Sequence, residues 1–111
     1  MSITLSEYQD QASATAIYKE EHMMIYPALG LTGEAGEIAN KVKKILRDDY
    51  DLVELTVKEQ ELAKEIGDVL WYCAALASDL GFDLSKIAED NLEKLQSRAK
   101  RGTIKGSGDN R

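Results

Sequence analysis

The chain has 111 residues, 43% hydrophobic and 31% charged, with a formal net charge of −6. That length allows one modest core, and the acidity argues against non-specific binding of nucleic acid through a basic surface, while phosphates would need metal ions or a local basic cluster. One proline and eight glycines leave little room for a turn-rich β architecture, and a single cysteine excludes an internal disulfide and fits a reducing compartment.

The N-terminal "MSITLSEYQD" lacks the charged and apolar regions of a secretory signal. Thr4 and Glu7 have capping-box spacing, and Leu5, Tyr8, Ala12 and Ala16 step at helical intervals, which predicts a first helix over about 5–20. Pro27 suits the first position of a second helix, over about 27–46, with Leu31, Ala35, Ile38, Val42 and Ile45 as its apolar seam. "RDDYDLVEL" reads as a loop. Thr56 and Glu59 form a second capping box and open a third helix over about 56–80. Its seam is Leu62, Ile66, Val69, Cys73, Leu76 and Leu80, and Gly81 is its natural stop. From Val69 onward the third helix is apolar on nearly every face, so it belongs at the centre of the assembly. Cys73 in that run reads as core.

Asp83 suits the cap of a fourth helix over 84–101, with Leu84, Ala88, Leu92, Leu95 and Ala99 inward. Residues 102–111, "GTIKGSGDNR", read as a flexible, polar, glycine-rich tail, leaving 1–101 as one domain. The expected class is all-α, a four-helix bundle-like fold. The longest apolar run, "VLWYCAALA", is about half of a membrane span, so a soluble, cytoplasmic protein is expected.

Residues three and four apart share a helical face. The second helix carries Glu34, Glu37, Lys41 and Lys44 on such a stripe. The third carries Glu65, Asp68 and Tyr72, with Glu61 one turn earlier. The fourth carries Asn91, Lys94, Arg98 and Arg101. The two acidic stripes lie one position before their apolar seams, about 100° round the helix, and so border the core. Acidic pairs facing one another in a partly dry cleft repel strongly. Hard divalent cations remove the repulsion, because Mg²⁺ and Mn²⁺ take oxygen ligands in octahedral geometry. Gly33, Gly36 and Gly67 each weaken a helix by about 1 kcal/mol relative to alanine, and the expected return is close approach of the two helices. A basic stripe on the fourth helix then suits the phosphates of a metal-bound ligand.

Glu34-x-x-Glu37, 27 intervening residues, and Glu65-x-x-Asp68, together with "LTGEAGEIANKVKK", "KEIGDVLWYCAALA", "NLEKLQSRAKRG" and "GSGDNR", resemble the MazG-like all-α nucleoside triphosphate pyrophosphohydrolases. The resemblance runs from about Tyr8 to Arg111. It implies hydrolysis of an NTP or dNTP to the monophosphate and pyrophosphate, as nucleotide-pool housecleaning. It also implies Mg²⁺, with Mn²⁺ as a substitute, held by Glu34, Glu37, Glu65 and Asp68. Among these, Glu34 and Glu37 are the catalytic candidates, with Glu37 preferred as the base; His22 lies off all three stripes. Asn91, Lys94, Arg98 and Arg101 are the phosphate-binding candidates, and Trp71 and Tyr72 the candidate base contacts. A homodimer or homotetramer is implied, and an over-apolar third helix agrees with one. The competing readings are a dUTP- or dCTP-selective relative, phosphoribosyl-ATP pyrophosphohydrolase, and a non-catalytic helical interaction module with a structural metal site. A di-iron carboxylate bundle normally needs Glu-x-x-His, which neither acidic pair provides.

Overall fold

The computed structural model describes residues 2–111, and they are helical with no strand among them. Four α-helices follow in order: α1 Leu5–Ala12, α2 Ile25–Arg47, α3 Leu52–Leu80 and α4 Leu84–Arg101. The all-α expectation holds, and three of the helix boundaries move for local reasons.

α1 opens on the expected capping box, with Thr4 Oγ1 accepting from the Glu7 N–H and Glu7 Oε1 from the Thr4 N–H. It stops at Ala12, well short of residue 20, and continues only as 3₁₀ turns at Ser13–Thr15 and Glu20–His22. The Ser13 and Thr15 hydroxyls donate to the carbonyls of Asp10 and Ala12 (2.6 and 2.8 Å), a local alternative to helix that short polar side chains favour. α2 begins two residues before Pro27, which therefore stands third in the helix, where its missing N–H is still one of the unpaired ones. The turn into α2 is held by Met24, at φ 66°, whose N–H donates to Asp79 Oδ2 (2.9 Å).

α3 is capped by Asp51, which accepts from the Glu54 N–H at 2.8 Å. Thr56, the expected cap, lies inside the helix and donates its hydroxyl to the Leu52 carbonyl. The loop thus shrinks to 48–51, because the aspartate cap lets "LVEL" join the helix. Gly81 ends α3 at φ 80° and Asp83 caps α4, both as expected.

α2 and α3 form a long antiparallel hairpin, the most extensive packing in the molecule. α1 lies across α3 and the start of α4, tied there by Ser6, whose N–H and Oγ bond Ser85 and whose hydroxyl donates to Asp83. The buried core is small and sits where α3 was expected to be central: Ala74, Ala75, Ala77 and Leu84, with Leu5, Tyr8 and Leu70 against it. Most of the seam residues stay partly open, with Ile66 60%, Leu92 57% and Leu95 43% exposed. Residues 102–111 turn back along α4. Among the described residues no helix is long and apolar enough to cross a membrane.

Candidate metal and phosphate site

The α2–α3 hairpin aligns residues whose numbers sum to about 102. Gly30 faces Tyr72, Glu34 faces Glu65 and Asp68, and Lys41 faces Glu61. This register sets the two acidic stripes opposite one another. One carboxylate oxygen each from Glu34, Glu65 and Asp68 lie within 4.8 Å of one another. Glu34 and Glu65 are half-buried and Asp68 is exposed.

A hydrogen bond to Glu65 holds the Glu34 carboxyl above its ordinary range, with burial and the charges of Asp68, Glu65 and Glu37 adding to it. Glu37 lies one turn further along α2, exposed, and acts on Glu34 only through its charge. Lys41 compensates in part, with Nζ 4.0 Å from Glu65 and 3.9 Å from Glu61. Oxygen donors alone, converging from two helices, form a donor set that fits a hard divalent cation.

Glu34 and Asp68 open onto a cleft of about 370 Å³ whose other walls are Thr15, Trp71 and Tyr72. The Trp71 indole N–H donates to Thr15 Oγ1 (2.8 Å), and its ring meets Tyr72 edge-on at 5.0 Å. Tyr72 in turn leans on Tyr26, which stacks on Tyr18. Behind Trp71 a smaller cavity of about 110 Å³ reaches Asp79, which is already engaged. It accepts from the Tyr18 hydroxyl at 2.7 Å and from Met24 N–H, and burial with that bond pushes Tyr18 up to about 12.

The expectation about the glycines needs correcting. A Cβ at Gly33, Gly36 or Gly67 would meet nothing within 4 Å, so none of them brings the helices together within one chain. Gly30 is the position of close approach, where a Cβ would overlap the Tyr72 ring. No spacing in the sequence singles out Gly30; only the register of the packed hairpin sets it against Tyr72. Thr15, Tyr18 and Tyr26 also lay outside the sequence reading of the site, since tertiary contact alone brings Thr15 to the cleft and stacks Tyr18 and Tyr26 beside Tyr72.

The basic stripe of α4 stands apart from the acids. α4 packs on α1 and α3 without substantial contact with α2, and none of Asn91, Lys94, Arg98 or Arg101 lines the acidic cleft. Asn91 and Lys94 border a shallow hollow with Ile87 and Asp90. Lys94 Nζ and Arg98 Nη2 both reach Asp109 Oδ1, at 2.7 and 2.9 Å. Arg101 donates to Ser97 Oγ and to the main-chain oxygen of Arg111.

Comparison with known proteins identifies a family. Residues 20–103 match the MazG nucleotide pyrophosphohydrolase domain, a span containing both acidic pairs and the whole α4 stripe. The "Gene 37 protein" of Mycobacterium phage L5 is 53% identical over 110 residues, covering 94% of this chain and 96% of the phage protein. No solved structure matches. With the matched domain spanning most of its length, the chain belongs to the MazG nucleotide pyrophosphohydrolase family.

Proposed function

We propose that this protein hydrolyses a nucleoside triphosphate, ribo- or deoxyribo-, to nucleoside monophosphate and pyrophosphate, as housecleaning of the cytoplasmic nucleotide pool. The observation that carries this reading is the convergence of Glu34, Glu65 and Asp68 beside an open cleft, in a chain of this family. Glu34, Glu37, Glu65 and Asp68 would hold Mg²⁺, or Mn²⁺ in its place. When bound, the ion polarises phosphoryl oxygens and makes water a usable nucleophile near neutral pH.

The chain's own groups do the rest. A bound cation would offset the charges of Asp68, Glu65 and Glu37 that oppose ionisation of Glu34. Glu37, exposed and one turn away, takes the proton of the attacking water. Asn91 and Lys94 contact the phosphates, while Arg98 and Arg101 add positive field from positions shared with residues 109–111. Trp71 and Tyr72 offer aromatic faces to the base at the wall of the cleft, and the choice of base, dUTP or dCTP included, follows from that wall.

The active form in this proposal is a homodimer or homotetramer. The accessible area is 8319 Å², against about 6,100 Å² for a compact monomer of this mass. The excess has the size of an obligate interface, on the order of 2,000 Å² or more. A second copy covering the open seams also gives an α4 stripe a route to face an acidic cleft.

The test is release of monophosphate and pyrophosphate from a panel of NTPs and dNTPs, with Mg²⁺ and with EDTA. Activity abolished by EDTA, and reduced at least about a hundredfold in Glu65→Gln with the helical content kept, is the expected result. A folded, Mg²⁺-supplied protein that turns over no triphosphate would sink the enzyme and favour the interaction module with a structural metal site.

A further inference from the structure

Three of the four residues on the α4 stripe are cations, and the structure gives each a partner from residues 109–111. Lys94 Nζ donates to Asp109 Oδ1 at 2.7 Å, and Arg98 Nη2 to the same oxygen at 2.9 Å and to the Asp109 main-chain oxygen at 2.7 Å. Arg101 Nη2 donates to the Arg111 main-chain oxygen at 2.9 Å.

These contacts are of two kinds. The Arg98 side chain is only 6% exposed, and its bond to the Asp109 carbonyl fastens the returning segment whether or not the carboxylate takes part. Arg111 closes the end of the segment onto its own root just past α4, through the carbonyls of Thr103, Ile104 and Gly108 at 3.0, 2.8 and 2.6 Å. Gly106 and Gly108, at φ 119° and 86°, allow the reversal. Lys94 is different. Its side chain is 37% exposed, that of Asp109 76%, and the Asp109 carboxylate is its one ion-pair partner among the described residues.

So open a pair contributes little to stability. A phosphate group, more highly charged and equally able to accept a charge-assisted bond, is a stronger anion for the same ammonium. We infer that Asp109 is a built-in competitor for phosphate at Lys94. Its carboxylate occupies the place on α4 that a phosphate oxygen of substrate or pyrophosphate takes, and it yields that place while Arg98 and Arg111 keep the segment attached. Asp109 thereby sets the affinity of the stripe for phosphate without touching the reacting atoms. This rests on the reading of Lys94 as a phosphate contact.

The experiment compares wild type, Asp109→Asn, Lys94→Met and the double variant. Binding of inorganic pyrophosphate with Mg²⁺ is followed by calorimetry, and KM and kcat are measured on a triphosphate. Asp109→Asn should bind pyrophosphate on the order of a few-fold more tightly and lower KM by a like factor, with kcat kept. The gain should vanish in the double variant. Weaker or unchanged binding by a folded Asp109→Asn, or a gain that survives Lys94→Met, overturns the inference. The wild type supplies an independent reading. Titration of the Asp109 carboxyl by NMR should show its pKa, held low by Lys94 and Arg98, rising when pyrophosphate is added; no change overturns the displacement. Wild type that binds pyrophosphate but turns over no triphosphate sinks the enzyme while leaving the competition to be decided by these variants. Turnover with an unaltered KM in Lys94→Met sinks the phosphate role of Lys94, and the inference with it.

Discussion

Glu34 stands where the charge conflict of the acidic cluster is greatest. Its carboxyl titrates above the ordinary 4.5 in the folded protein, chiefly through its bond to Glu65. The folded state therefore holds its proton more tightly than the unfolded chain does. Below pH 4.5 both states are protonated and the advantage is fully present; it is lost as pH rises through the higher folded value. Relative to Glu34→Gln, the metal-free wild type should lose melting temperature from about pH 4.5 upward and then level off, and Mg²⁺ should restore it at neutral pH. Thermal melts across pH with EDTA and with Mg²⁺ check this, and a difference between the two proteins that stays constant with pH would refute it. Gly30 acts at the same scale through sterics. Gly30→Ala would push a Cβ into the Tyr72 ring and should lower stability by about 1–3 kcal/mol in denaturant unfolding.

At the scale of elements, caps decide where the helices begin. The capping box at Thr4 and Glu7 and the stops at Gly81 and Gly102 were readable because each depends on residues within one turn. Thr56 and Glu59 satisfy the same pattern, yet Asp51 is the cap of α3, because a helix entered earlier satisfies more backbone groups. Asp51→Ala should then lower stability by about 1 kcal/mol, whereas Thr56→Ala should change it by only a few tenths, as urea unfolding would show. The first helix was overextended for a related reason. Ala12 and Ala16 keep the helical spacing, but Ser13 and Thr15 turn their hydroxyls onto the backbone, and Thr15 is held away by Trp71, a contact 56 residues distant in sequence.

The whole molecule is more open than its length requires. Its radius of gyration is 17.1 Å, against about 13 Å for a compact chain of this size, and its buried core rests on three alanines and Leu84. Ile66, Leu92 and Leu95 lie on helical seams that the single chain does not cover. Sedimentation at micromolar concentration should show a dimer or tetramer, and melting temperature should rise with protein concentration. Ile66→Asp should shift the protein toward monomer and lower its melting point. A monodisperse wild-type monomer with concentration-independent melting would overturn the assembly. Gly33, Gly36 and Gly67, which meet nothing within the chain, belong to this scale as well.

The sequence by itself determined the helical class, the end of α3 and the whole span of α4. It also set the two carboxylate pairs at the edge of the apolar seams. All of these follow from short-range periodicity and capping, which a linear pattern carries in full. The tertiary structure alone decided that Glu34, Glu65 and Asp68 converge while Glu37 stands one turn off, that Gly30 is the point of close approach, and that the α4 cations are met by Asp109 and Arg111. The reason is physical. A helical face specifies which side chains share a stripe, but the register between two stripes depends on how whole surfaces interlock, and no spacing within one helix encodes that.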